Sequence, residues 1–278
     1  MKRKVKTKVK GFRTTDGAGV KLVRVLGNLT TKEFDPILML DSFDSINPDD
    51  YTAGFPMHPH RGIETISYVS RGKMVHRDSL GNEAGISDGE VQWMNSGSGI
   101  MHEEMVPAAE RLLGVQLWLN LPAKDKMSKP SYNSIKNEDI KEIEIEGGKI
   151  RLLAGKYGEH EGYKGDYLSM DYYDIHLNAD AEVTLTMEED DSVMVFTLLG
   201  DVYIDGDIEE KTAVKLTEGD SLTIKNGNEK AQVLYMNSRA LNEPVAWAGP
   251  IVMNTQEELQ KAFLELRSNT FIKETAEY

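Results

Sequence analysis

Along most of the chain, apolar residues alternate with polar ones or gather in short runs, and turn-forming residues interrupt the pattern every few positions. Segments such as Thr65-Ile66-Ser67-Tyr68-Val69, Gly114-Val115-Gln116-Leu117-Trp118-Leu119 and Ile150-Arg151-Leu152-Leu153 are rich in β-branched and large apolar side chains, as half-buried strands are. Between them stand Gly62, Gly72, Gly81-Asn82, Gly85, Asp88-Gly89, Gly97 and Gly99, which predict tight connections. Helical periodicity is concentrated at the C-terminus. There Thr255-x-x-Glu258 forms a capping box, and Leu259, Phe263 and Leu266 recur at helical spacing. The pattern predicts an all-β chain of sandwich or barrel type, closed by one amphipathic helix. Near the N-terminus, the alternation in Lys4-Val5-Lys6-Thr7-Lys8-Val9-Lys10 predicts a solvent-exposed edge strand whose lysines block unwanted pairing.

A weak internal repeat refines this picture. Ile66-Ser67-Tyr68-Val69-Ser70-Arg71-Gly72-Lys73-Met74 rhymes with Met194-Val195-Phe196-Thr197-Leu198-Leu199-Gly200-Asp201-Val202. Further on, Ser87-Asp88-Gly89-Glu90-Val91 is echoed by Thr217-Glu218-Gly219-Asp220-Ser221-Leu222. Two related β-domains are implied, with a boundary after Leu121-Pro122-Ala123-Lys124, where polar residues replace the strand pattern. The division is placed at residues 1–135 and 136–278.

Composition narrows the chemistry. The 278 residues contain no cysteine, which removes disulfides, thiolate nucleophiles, iron–sulfur clusters and cysteine zinc sites. A metal would have to be held by imidazoles, carboxylates or other oxygen ligands. The formal net charge of −14 opposes direct nucleic-acid binding, because an acidic body repels phosphates. The basic N-terminal stretch is followed by no apolar signal-like region, and no later stretch approaches the roughly 18 apolar residues of a membrane span. No membrane association and a cytoplasmic location are therefore expected.

Of the 6 histidines, three fall in two tight clusters, His58-Pro59-His60 and His102-Glu103-Glu104. Residues two apart on an extended segment share a face, so His58 and His60 form one pair and His102 and Glu104 another. On neighbouring strands these pairs offer three nitrogens and one carboxylate to a single point. Such a set suits a divalent transition metal with coordination positions left open; iron, manganese, nickel, cobalt and copper all tolerate it. Zinc also fits, but three imidazoles and a carboxylate would fill its tetrahedron and leave less room for chemistry. Glu64 completes His58-x-His60-x-x-x-Glu64 and competes with Glu104 for the carboxylate role. The favoured reading makes it an outer residue that holds an imidazole N–H or a metal-bound water. His76, in the alternating Lys73-Met74-Val75-His76-Arg77-Asp78, is placed on the barrel wall as a second outer residue. His160 and His176 are assigned no role. At the corresponding places of the repeat stand Thr186-Met187-Glu188 and the neighbourhood of Gln232, so the second domain is expected to hold no metal.

These residues resemble the pirins, a family in the bicupin branch of the cupin superfamily. The resemblance rests on several ordered blocks. They are Asp41-Ser42-Phe43, Gly54-Phe55-Pro56-Met57-His58-Pro59-His60-Arg61-Gly62-Ile63-Glu64-Thr65, Asp88-Gly89-Glu90-Val91-Gln92-Trp93-Met94, Gly97-Ser98-Gly99-Ile100-Met101-His102-Glu103-Glu104-Met105, Gly114-Val115-Gln116-Leu117-Trp118-Leu119-Asn120-Leu121 and Gly249-Pro250-Ile251-Val252-Met253-Asn254-Thr255. Met57, Ile63 and Val106 depart from the family pattern around the cavity mouth. The resemblance implies two jelly-roll β-barrels, the first holding one metal, usually iron, through His58, His60, His102 and Glu104. It also implies one of two functions. The favoured one is a metal-dependent dioxygenase that opens the central ring of quercetin-like flavonols with dioxygen and releases carbon monoxide, with Glu104 taking the flavonol hydroxyl proton. The alternative is a non-enzymatic, metal-dependent regulator that binds a transcription factor or a metabolic enzyme as protein partner.

Overall fold

The structure, a computed structural model, describes residues 1–274; the last four residues of the second expected domain lie outside the described residues. Regular structure is overwhelmingly extended. Among the described residues, Gln256–Arg267 is the one helix longer than a single turn.

The chain divides into two compact units. The unit that carries the histidine pairs, termed the histidine-bearing unit, is built from Arg13–Thr31, Ile37–Lys136 and the segment from Leu241 on, and the second unit, which holds His160 and His176, from Met1–Phe12, Lys32–Pro36 and Asn137–Ala240. A contiguous split at residues 135 and 136 is therefore crossed at both ends of the chain. The first residues join the second unit because Val5–Lys10 pairs with Thr212–Leu216. The C-terminal segment joins the histidine-bearing unit because Val252 N donates to Arg61 O at 3.1 Å and Arg61 Nη2 donates to Phe271 O at 2.9 Å, with Leu259 and Ala262 of the helix packing on Ile251 and Phe271. Both pairings are long-range, and local composition does not encode them.

In the histidine-bearing unit a seven-stranded sheet runs in the order Ser131–Ile135, Glu90–Asn95, Ile63–Arg71, Leu112–Asn120, Ile37–Ser45, Val20–Leu26 and Phe12–Asp16. A four-stranded sheet has the order Phe55–His60, Ile100–Met105, Lys73–Asp78 and Glu83–Ser87. The two faces meet through Val20, Leu22, Phe43, Val69 and Leu112 of the larger sheet and Phe55, Met74 and Ile86 of the smaller. This is the sheet-on-sheet solution for alternating apolar faces. The expected capping box is formed: Thr255 Oγ1 accepts from Glu258 N at 3.2 Å, and the Glu258 carboxylate accepts from Thr255 N at 3.0 Å.

The second unit repeats the plan. Its seven-stranded sheet has the order Val5–Lys10, Thr212–Leu216, Ser192–Leu199, Ala231–Ser238, Met170–Leu177, Gly148–Ala154 and Lys141–Ile145. Its four-stranded sheet combines Glu182–Thr186, Ser221–Asn226, Val202–Tyr203 and Asp207–Ile208. The lysine-rich segment is the expected edge strand, with Lys6, Lys8 and Lys10 exposed and Val5, Thr7 and Val9 half-buried. The rhyming segments occupy equivalent strands, each third from one end of its larger sheet. Gly72 and Gly200 follow them with φ of 107° and 74°, turning the chain into the smaller sheet. A Cβ at these two places would stand 3.0 Å from Arg111 O and 2.8 Å from Lys230 O, so only glycine fits without strain.

Candidate metal centre

The strand Ile100–Met105 lies between Phe55–His60 and Lys73–Asp78, and its register decides what meets. His102 sits opposite His58 on one side and Asp78 on the other, while Glu104 sits opposite His76. Pleating turns His58, His60 and His102 to one side, and their ligand nitrogens lie within 4.8 Å of one another. His58 Nε2 is 3.1 Å from His60 Nε2 and 3.0 Å from His102 Nε2. His60 and His102 are buried, and His58 is half-buried.

The protons on these rings follow from their other contacts. His58 Nδ1 lies 2.8 Å from Pro56 O, and His60 Nδ1 lies 3.0 Å from Pro250 O. A carbonyl oxygen only accepts, so both Nδ1 atoms donate and the neutral rings present bare Nε2 lone pairs. For His102 the same result comes through a chain. His76 Nε2 donates to Asp78 Oδ2 at 2.8 Å, leaving His76 Nδ1 to accept from His102 Nδ1 at 3.3 Å. Asp78 is fixed in turn by Leu80 N, Asn82 N and Asn82 Nδ2, and the His76 ring stacks 4.0 Å from Tyr132. Burial, and then the neighbouring His58, lower the His60 pKa to about 3. Burial first, and then the surrounding imidazoles, hold His102 well below its ordinary value. Three lone pairs thus converge with no proton able to serve all of them. A cation at their meeting point resolves this repulsion, and all-imidazole donation fits a divalent transition metal.

The structure brings the three histidines together and holds the Glu104 carboxylate on a different set of partners. Glu104 is buried; Gln92 Nε2 donates to its Oε1, and Gln116 Nε2 donates to its Oε2 at 2.8 Å. These glutamines belong to a row that crosses the larger sheet. Arg24 pairs with Asp41, Asp41 with Gln116, Gln116 with Ser67, Ser67 with Gln92, and Gln92 with Ser134. The rhyming position in the second unit is Val195, whose row reads Leu152, Tyr173, Tyr235, Val195 and Val214 and belongs to an apolar core. The same architecture is thus packed with oil in one unit and lined with donors and acceptors in the other. Glu64 is buried in the larger sheet opposite Leu119 and Asn95, outside the histidine group. His76 is buried on the wall behind His102 rather than among the converging nitrogens.

A cavity of about 560 Å³ opens beside His58 and His60. Its apolar wall includes Phe55, Trp118 and Trp247, and its polar wall includes Gln116, Asp41, Arg24 and Asp16. The His60 and Trp118 rings meet edge-on at 5.0 Å, and Trp118 and Trp247 lie 5.4 Å apart. Volume and mixed lining are those of a small-molecule site. Local sequence does not mark Tyr132, Gln92, Gln116 or the Arg24 group as part of the site. Asp78 alone had a local signal, its two-residue spacing from His76.

Two sandwiches of like topology, one with an imidazole triad of which His58 and His60 line a cavity, define a bicupin with a candidate metal centre in one unit. The chain belongs to the pirin family: the family model for pirin matches residues 19–119, and that for the pirin C-terminal cupin domain matches residues 172–272. A Pseudomonas aeruginosa protein provisionally named a quercetin 2,3-dioxygenase is 38% identical over 268 residues, covering 92% of this chain and 94% of the relative. Human pirin is 34% identical over 276 residues, covering 96% and 93%. A crystal structure described as quercetin 2,3-dioxygenase from Acinetobacter baumannii superposes with a TM-score of 0.90 at 30% identity, covering 98% of this chain and 99% of that one. No helix among the described residues is long and apolar enough to cross a membrane.

Proposed function

We propose that this chain is a metal-dependent dioxygenase that opens the central ring of quercetin-like flavonols with dioxygen and releases carbon monoxide. The observation that carries the reading is the convergence of the His58, His60 and His102 Nε2 atoms beside a cavity with aromatic sides that His58 and His60 line. His58, His60 and His102 would hold the metal, with iron the family's usual ion and manganese, nickel, cobalt or copper alternatives. Bound there, the ion would polarise the flavonol 3-oxygen and make the ring electron-rich towards dioxygen.

The rest of the task falls to this chain's own side chains. Trp118 and Trp247 offer flat apolar surface for a planar substrate. The Glu104 carboxylate, two residues beyond His102, is the group to take the proton from the 3-hydroxyl, and Gln92 and Gln116 keep it oriented. Burial of Glu104 and the packed walls keep bulk water from that proton transfer. Two relatives whose names refer to quercetin 2,3-dioxygenase support the reading. The test is an aerobic assay of metal-reconstituted protein for quercetin loss and carbon monoxide. Turnover that tracks metal loading and disappears in His102→Ala is the expected result. Stoichiometric metal with no quercetin loss would overturn the oxygenase in favour of a regulatory metalloprotein.

A further inference from the structure

The polar end of the cavity carries a second arrangement that metal binding does not explain. Arg24 makes a two-pronged pair with the buried Asp41, Nε to Oδ1 at 2.9 Å and Nη2 to Oδ2 at 2.7 Å. The same Nη2 donates to Asp16 Oδ2 at 2.6 Å, and Asp16 Oδ1 accepts from Gly17 N at 2.7 Å. Every one of these residues lines the cavity that also contains His58 and His60. The guanidinium is therefore held along one edge, while its other terminal nitrogen, Nη1, makes no hydrogen bond among the described residues. Each Asp16 oxygen has accepted one bond and retains a lone pair. The Asp16 side chain is half-exposed, with 50% of its surface accessible, so that lone pair can be reached by a ligand.

We propose that Asp16 and Arg24 form a hydroxyl-reading clamp, which selects flavonols that carry a phenolic hydroxyl on the pendant ring. A hydroxyl is both donor and acceptor, and this pair supplies one partner for each role: Asp16 accepts its proton and Arg24 Nη1 donates to its oxygen. The position is suitable. Gln116, which holds Glu104, and Arg24 are separated by two strand steps, about 10 Å, along one row. That is the scale of a fused bicyclic ring with a pendant aryl group. Asp41 acts through Arg24 as a positioning residue. A site built to bond a hydroxyl discriminates against the analogue that lacks it, because its own polar groups are then left unpaired.

This inference rests on the flavonol reading above and deepens it by naming the substituent that is read. The test measures binding rather than turnover, on iron(II)-reconstituted full-length protein kept under dinitrogen. Quenching of tryptophan fluorescence would report affinities for quercetin, kaempferol and galangin, which carry two, one and no hydroxyls on the pendant ring. The wild type is expected to prefer quercetin to galangin by about tenfold or more. Asp16→Asn exchanges one of the two acceptor oxygens for an amide donor, removes the negative charge and leaves the Arg24–Asp41 pair in place. It should collapse the preference to within about threefold while leaving galangin affinity unchanged. Arg24→Lys, which keeps the charge but lacks Nη1, should do the same, with thermal unfolding used to verify that it folds. Equal wild-type affinities for the three flavonols, or an undiminished preference in Asp16→Asn, would overturn the clamp and leave the oxygenase reading standing. Failure of the wild type to bind any flavonol would overturn both.

Discussion

His76 Nδ1 accepts from His102 Nδ1 across 3.3 Å, and this contact makes a candidate ligand's tautomer depend on Asp78, which grips the other side of the same ring. Asp78→Asn or His76→Phe should loosen that control without removing any converging nitrogen. Loss of such an outer partner typically costs 10- to 100-fold in metal affinity. A competitive metal titration of the folded variants should show a weakening of about that size, and unchanged affinity in both would mean that His102 is fixed by packing alone.

Glu104→Gln separates two roles of the carboxylate. The isosteric amide retains the three imidazoles, so metal occupancy should stay close to that of the wild type. If Glu104 accepts the substrate proton, kcat for quercetin should fall by about 100-fold or more. Occupancy and turnover measured on one preparation check this. Turnover equal to the wild type would make the carboxylate a spectator, while loss of metal would make it a ligand.

Gly62 stands two residues after His60 with φ of 79°, and a Cβ there would come within 2.0 Å of Val252 O. Arg61 O accepts from Val252 N at 3.1 Å, and the same segment supplies the Pro250 carbonyl that fixes His60. Gly62→Ala should therefore cost about 2–4 kcal/mol in denaturant unfolding and also weaken metal binding. A stable variant with normal metal affinity would show that the 250 segment yields freely.

Lys126 is buried in the same unit, with Nζ donating to Gly62 O at 2.7 Å and Asn120 Oδ1 at 2.6 Å. Burial lowers its pKa from 10.5 to about 7. Between these values the unfolded chain holds a proton that the folded chain lacks, so stability gains from this group as pH rises from about 7 towards 10. Below about pH 7 the cost of burying the charge is present in full. Relative to Lys126→Met, the wild type should gain up to about 1.4 kcal/mol per pH unit across that window. Parallel pH profiles of unfolding free energy would contradict the shift.

Much of the centre was legible in the sequence because it depends on the two-residue period of strands. The spacings of His58 with His60 and of His102 with Glu104 place each pair on one face whatever the partner strand, and the structure brings the three imidazoles together. The capping box at Thr255 and the edge lysines were legible for the same reason, being patterns of adjacent residues. Properties set by register between distant strands were not legible. Nothing in the local sequence says that Gln92 and Gln116 lie in one row with Ser67 between them, or that they take hold of Glu104. Membership of the termini was hidden likewise, since Val5–Lys10 finds its partner more than 200 residues away. The internal repeat showed that the units share a plan. What distinguishes them became visible only when Ser67 and Val195 were placed at the centres of a polar and an apolar row.

The most direct test of the centre is metal content. The protein should be purified without oxygen, stripped, reloaded with iron(II), desalted and analysed for metal per chain, beside His58→Ala and His60→Ala prepared in the same way. One metal per wild-type chain, with loss of most of it in each folded variant, is the expected result. Full occupancy in both variants, or no retained metal in the wild type, would contradict the assignment of these lone pairs to a metal ion.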